Sequence, residues 1–322
     1  MQLLKVHGSG NDFYILDQAN LTTELTEEQL IKLTQKVCDR QTGLLGGADG
    51  ILYVCASQKQ PALAKMRVLN ADGSEASMCG NGLRTVARYL SEKYDKDEFI
   101  VETMHANLSV KKATAFAKEV PAFAVEISPV SFAAEDLKMH VGKTKLLNET
   151  VPAFGELKFS AVAVPNPHLI AFGEHQLVHG EQLAELASWL NDGQNPYFPD
   201  GVNVSFVEIL QPNKIFVRTY ERGVGYTNAC GTAMSASSLI YTLLNQLPFE
   251  QEITVINPGG LVKTIVHQAA NQTYWISLIG NATNLGTVQL ELAAALVGDF
   301  SKVTYQPTTE QAAYEKFIAN LN

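Results

Sequence analysis

The chain has 322 residues, enough for two domains of ordinary size, and its 46% hydrophobic and 18% charged content is that of a folded globular protein. A formal net charge of −9 argues against the broad basic face that nucleic acid or an anionic membrane would need. Apolar runs all fall short of the roughly 18 residues of a membrane-spanning helix, and MQLLKVHGSGNDF has no apolar core of a secretory signal.

Strand-like runs dominate in chain order. QLLKV (2–6) opens the chain, and residues 26–39 then form a predicted helix. That helix begins on the capping box Thr26-x-x-Gln29 and carries Leu30, Leu33 and Val37 on one face. ILYVCA (51–56) and KMRVL (65–69) are β-branched or alternating, and so are FIVET (99–103), LSVKKA (108–113) and FAVEIS (123–128). Between them a helix follows Cys79, with Leu83, Val86, Ala87 and Leu90 on one face. LKFSAVAV (157–164) precedes a helix over 180–191 with Leu183, Leu186, Ala187 and Leu190 at helical spacing. VNVSFVEIL (202–210) and KIFVRTY (214–220) lead to a second cysteine, Cys230. After it, AMSASSLIYTLL is small or apolar nearly all round, the mark of a buried helix. ITVIN (253–257), LVKTIVH (261–267) and TYWISLI (273–279) follow. A last helix over 308–321 is expected to start on the box Thr308-x-x-Gln311 and to present Ala313, Phe317 and Leu321. Its amphipathicity makes it a packing or homodimer element.

The halves echo one another. Each runs strand, loop, Cys-Gly, helix, and nine positions separate Asn70 from Cys79 as they do Glu221 from Cys230. The expected fold is therefore mixed, α/β or α+β. It has two pseudo-symmetric domains, each a mostly antiparallel sheet wrapped around a central helix. Residues 1–128, completed by 285–322, form the domain that carries Cys79; residues 129–284 form the one that carries Cys230.

Four cysteines occur without C-x-x-C or zinc-ribbon spacing, which points to free thiols in a reducing cytoplasm. Cys38 lies on a helix and Cys55 in a strand, and both are read as buried and inert. Cys79 and Cys230 each follow a glycine-rich loop and open a helix. There the positive helix end and unpaired N–H groups are expected to lower a thiol from about 8.5 toward neutrality. The same end binds a carboxylate. If the halves face each other, one anion meets two helix ends and two thiols. That suits inversion of an amino-acid α-carbon, with a thiolate as base on one face and a thiol as acid on the other. The helix ends would stabilise the developing negative charge, and the scheme requires neither metal nor pyridoxal phosphate. His175 and His179 stand four apart but lack the glutamate of H-E-x-x-H, so no metal is expected.

Taken together, Asn70-x-Asp72-Gly73-Ser74-x4-Cys79-Gly80-Asn81-Gly82-x-Arg84 resembles the signature of the diaminopimelate epimerases. HGSGNDF (7–13), GGADG (46–50), Asn166-Pro167-His168, Gly201-Val202-Asn203-Val204, Tyr220-Glu221-Arg222-Gly223 and Ala229-Cys230-Gly231-Thr232 resemble further family motifs, in family order. The resemblance implies a cofactor-independent two-base epimerase of LL- and meso-diaminopimelate, serving lysine and peptidoglycan synthesis. By that resemblance Cys79 and Cys230 are the acid/base pair, with Glu221 and His168 beside the reacting centre. Gly80-Asn81 and Gly231-Thr232 would cradle its carboxylate. Asn11, Asn70, Asn166, Asn203 and Arg222 would hold the substrate, several of them at the distal end.

Taken without the resemblance, the asparagines are ordinary turn residues, and Glu221-Arg222 reads equally as a solvated pair or as a functional one. The chain departs from the family in three places. Tyr226 stands where the family has an acid, Ala233 where it has a glycine, and Gly50 where some members have a glutamine. The stretch after 292 exceeds the usual length. A proline racemase-like enzyme, a Cys79/Cys230 thiol–disulfide protein and a non-catalytic amino-acid-binding protein are the rival readings.

Overall fold

The computed structural model describes residues 1–321, which form two compact units. One comprises Met1–Val125 together with the chain from Ile279 onward, and the other Glu126–Leu278.

In the first unit the strands lie side by side in the order 304–307, 283–289, 2–8, 11–17, 50–55, 64–70, 98–102, 107–117 and 120–127. All neighbours are antiparallel except 11–17 with 50–55 and 64–70 with 98–102. The second unit repeats the scheme in the order 149–150, 158–163, 167–172, 203–211, 214–221, 252–257 and 260–268, again with two parallel pairs. The repetition extends to register. Phe13 lies opposite Gly50 as His168 lies opposite Asn203. The short strands Glu75–Ala76 and Gly225–Thr227 then lead into the two cysteine helices, Gly80–Tyr94 and Gly231–Leu244.

Each cysteine helix contacts most strands of its own unit, and a second helix lies against the sheet as well: Glu27–Cys38 in one, Gln182–Leu190 in the other. Apolar burial explains the arrangement. Leu30, Leu33 and Val37 pack with Tyr14, Leu16, Ile51 and Leu69, while Leu183, Ala187 and Leu190 pack with Phe159, Leu169 and Phe206. The helix Glu27–Cys38 starts where the sequence places it. Thr26 Oγ1 accepts from Gln29 N at 3.2 Å, and Gln29 Oε1 accepts from Thr26 N at 3.0 Å. The helix after Cys230 is buried at eleven of its fourteen residues. Three of its hydroxyls, on Ser235, Ser238 and Thr242, are accommodated by donating to carbonyls four residues back. Among the described residues no helix is long and apolar enough to cross a membrane.

Two readings need correction. The last helix runs Glu310–Ala319, and the box at Thr308 and Gln311 does not form. The Thr308 hydroxyl donates instead to the carbonyl of Asn284, and Gln311 donates to Glu315 at 2.8 Å. The helix buries Tyr314 against His7 and stacks Phe317 on Phe116, so its apolar face is used within its own unit. Asn322 lies outside the described residues. Finally, strands Asn11–Asp17, Pro167–Phe172 and Thr283–Gln289 went unpredicted because polar or turn-forming residues begin or interrupt them.

Gly50 is fixed by the fold. A Cβ there would fall on the carbonyl oxygen of Leu69 in the neighbouring strand. Gly50→Ala is expected to cost about 1–3 kcal/mol through this overpacking, measured by urea unfolding; an unchanged midpoint would show that the strands separate freely.

Candidate active site

The first site is built on a tight turn and a helix start. Gly8 pairs with Asn11, and both residues between them have positive φ, 54° at Ser9 and 81° at Gly10. A two-residue hairpin with left-handed central residues matches strand twist, which explains the glycine. The turn presents Asn11 to the helix start. Cys79 is the N-cap residue of Gly80–Tyr94, with Sγ accepting from Gly82 N at 3.4 Å. Asn11 Oδ1 accepts from Cys79 Sγ at 3.6 Å and from Asn81 Nδ2 at 3.3 Å. Asn11 is itself oriented, because its Nδ2 donates to Asp49, whose other oxygen accepts from Arg40 at 2.6 Å. Asn70 sits apart from this group: its Nδ2 donates to Ser74 Oγ at 2.9 Å within the loop before the cysteine.

The second site has the same frame and different chemistry. Cys230 is the N-cap residue of Gly231–Leu244, but its side chain does not cap the helix. Its Sγ lies 3.5 Å from Thr232 Oγ1. Burial, and then the charge of Glu221, push this thiol well above its ordinary range. The expectation of a lowered pKa is therefore overturned at Cys230. The helix end is present, but desolvation and a neighbouring carboxylate outweigh it. Glu221 is held by Thr227, whose hydroxyl donates to it at 2.6 Å.

His168 is fully buried, which together with the charge of Arg222 lowers its pKa to about 3. It is a neutral imidazole, so it hydrogen-bonds and does not act as a cationic acid. Nε2 bonds to Asn166 Oδ1 at 3.0 Å, and this fixes the Nε2–H tautomer. Nδ1 is then an acceptor, buried with no partner among the described residues. Asn203 Oδ1 accepts from the backbone N–H of Arg222 at 2.9 Å, while the Arg222 side chain donates to the carbonyl of Asp200 at 2.7 Å.

Two departures from the family pattern acquire a local account. Tyr226 points outward, under the Arg218 guanidinium at 4.2 Å and edge-on to Tyr220, while its neighbour Thr227 takes the inward contact with Glu221. Ala233 corresponds to Gly82. A Cβ on Gly82 would lie 2.7 Å from Leu52 Cδ2, whereas the register equivalent of Leu52 in the second unit is the smaller Ser205.

Sequence reasoning missed Asp49 and Thr227, which orient Asn11 and Glu221, although Asp49 lies inside GGADG and Thr227 follows Tyr226 directly. It also missed Glu208, which lies 3.1 Å from His175 Nδ1 and 3.7 Å from His179 Nε2 and brings a carboxylate to that pair. Burial raises Cys38 to about 12 and also raises Cys55, so neither is a ready nucleophile.

Comparisons with known proteins agree on one family. The model of the family described as diaminopimelate epimerase matches residues 3–121 and 162–285. The diaminopimelate epimerase of Ligilactobacillus salivarius is 65% identical, with 100% of both chains covered. That of Lactiplantibacillus plantarum is 58% identical, covering 100% of this chain and 98% of its own. The stretch beyond residue 292 is thus shared with relatives of similar length. Among solved structures, a Bacillus anthracis phenazine biosynthesis protein of the PhzF family has a TM-score of 0.63 at 16% identity, covering 89% of this chain and 97% of that one. A hydroxyproline epimerase from Agrobacterium vitis has a TM-score of 0.58 at 15% identity, covering 89% and 90%. At such identities these two structures speak to the fold, a mixed α/β architecture with few helices.

Proposed function

This chain belongs to the diaminopimelate epimerase family, and on that premise we propose that Cys79 and Cys230 run its reaction as a two-base pair. It is an isomerase, and its small-molecule substrate is diaminopimelate, as relatives of 50–65% identity indicate. One thiolate takes the α-proton while the other thiol delivers a proton to the opposite face. The electron pair left on Cα spreads into the carboxylate, which Gly80-Asn81 and Gly231-Thr232 receive at the two helix starts. In the form described, Cys230 is the group kept protonated, so Cys79 is the base for the first turnover; the reverse direction exchanges the roles.

Asn11 and Glu221 keep these thiols in place. Neutral His168 offers Nδ1 to a substrate N–H, and Asn70, Asn166, Asn203 and Arg222 are assigned to the rest of the amino acid. We place the chain in the cytoplasm on its cysteine usage, four cysteines without C-x-x-C or zinc-ribbon spacing.

The observation that carries this reading is the repeated placement of a cysteine as N-cap residue of the central helix in two units of matching strand register. Relatives named for diaminopimelate favour this substrate over a proline racemase-like or redox activity. The test is isotope exchange. Incubation with LL- or meso-diaminopimelate in D₂O is expected to place deuterium at Cα as the isomers interconvert. Exchange into proline alone, or none at all, would overturn the reading.

A further inference from the structure

The Cys79 helix carries one side chain that the reaction as described does not use. Arg84 has no solvent exposure, yet no carboxylate pairs with it among the described residues. Its hydrogen bonds go to neutral oxygens: Ser9 Oγ at 3.1 Å, the Asn281 carbonyl at 3.3 Å and the Gly80 carbonyl at 3.4 Å. A buried cation without a counter-ion is costly.

The packing around Arg84 is closed by glycines. A Cβ on Gly280 would lie 2.6 Å from Arg84 Nε, and one on Gly8 would lie 3.0 Å from Nη2 and 2.8 Å from the Asn81 carbonyl. Ser9 is thus tied on two sides, since its hydroxyl accepts from Arg84 while its N–H donates to Asn281 Oδ1 at 2.8 Å. Arg84 thereby clamps the turn that presents Asn11 to Cys79.

We propose that Arg84 is a positioning residue for the epimerase reaction, whose unmatched buried cation takes the Cys79 thiolate as its counter-ion and makes Cys79 the resting base. The inference rests on the two-base reading and deepens it. The neighbouring ionisable groups leave the role open to Cys79. Burial lowers Arg84 only to about 10, so it stays charged at neutral pH, and Cys79 is the first group whose charge it feels. Tyr314, the second, is pushed by burial up to about 12 and is neutral. His7, packed edge-on against Tyr314, is lowered by burial to about 4 and is neutral as well. The carboxylates whose charge His7 feels, Glu310 and Asp12, are engaged elsewhere, with Arg88 at 2.5 Å and with Arg40 at 2.6 Å.

The test reads the thiolate and not turnover, so its failure is distinct from failure of the epimerase assignment. Alkylation of the Cys79 peptide by iodoacetamide is followed by mass spectrometry from pH 5 to 10. In Arg84→Gln and in the apolar Arg84→Met the midpoint is expected to rise by about one unit or more, roughly a tenfold slower reaction at pH 7. Arg84→Lys keeps the charge and should stay near wild type. A purely structural role would disturb all three alike without moving the midpoint. Folded neutral variants that titrate as wild type overturn the proposal. If neither neutral variant folds, the wild-type curve decides. A midpoint at or above about 7, which a helix start alone can give, overturns the proposal, and one below it supports it.

Discussion

Cys79→Ala and Cys230→Ala should each cut epimerisation of diaminopimelate by at least about 10³-fold while leaving a folded protein. The size follows from what is removed. A positioned acid or base contributes on the order of 10²–10⁴-fold, and inversion needs both in one event, so the surviving thiol cannot substitute. The folding side is a separate matter. Cys79→Ala loses the Sγ contact with Gly82 N, a weak cap worth about 1 kcal/mol or less. Cys230 caps nothing, and its removal leaves a small void at a buried position. Circular dichroism and a thermal melt check the fold, and chiral chromatography of the product checks the rate. A variant of either cysteine that retains turnover near wild type would end the two-base scheme.

What could be read in the sequence divides along the range of the forces involved. The helix Glu27–Cys38 was legible down to its cap because the box Thr26–Gln29 is a local hydrogen-bond exchange. Both cysteine helices were legible for a similar reason: the glycine-rich loop, the cysteine and the apolar run are contiguous. Thr308-x-x-Gln311 has the same pattern as Thr26-x-x-Gln29 and failed, because a carbonyl 24 positions away captured the Thr308 hydroxyl. The environment of Cys230 was lost in the same way. A helix start is visible in sequence, but burial pushes the thiol up, and the helix it opens packs against strands as far along the chain as 158–163 and 260–268. The sequence offered Asn11 as a candidate, and the structure puts it beside Cys79, but the Asp49 and Arg40 side chains that aim it were not legible, since only the parallel pairing of 11–17 with 50–55 brings Asp49 to it.

The difference between the two thiols gives a second large effect, at Glu221. The carboxylate raises Cys230 beyond what burial alone does, so it helps keep that thiol protonated. Glu221→Gln removes the negative charge and keeps an acceptor for the Thr227 hydroxyl. With the charge gone, the thiolate of Cys230 is less disfavoured and ionisation moves to lower pH. Activity is lost on the alkaline side when the acid partner ionises, so the alkaline limb of kcat/KM should move down, while the acid limb, set by the base, moves less. The bell narrows from one side. Because the two cysteines titrate as a coupled pair, the comparison is between whole profiles and not between single fitted constants. The rate at the optimum should also fall by about 10- to 100-fold, since an acid already partly ionised is a poorer donor to the carbanion. Glu221→Asp, which keeps the charge on a shorter stem, should restore much of the alkaline limb. A Glu221→Gln profile displaced upward, or unchanged in shape, would mean that the carboxylate acts on the substrate and not through Cys230.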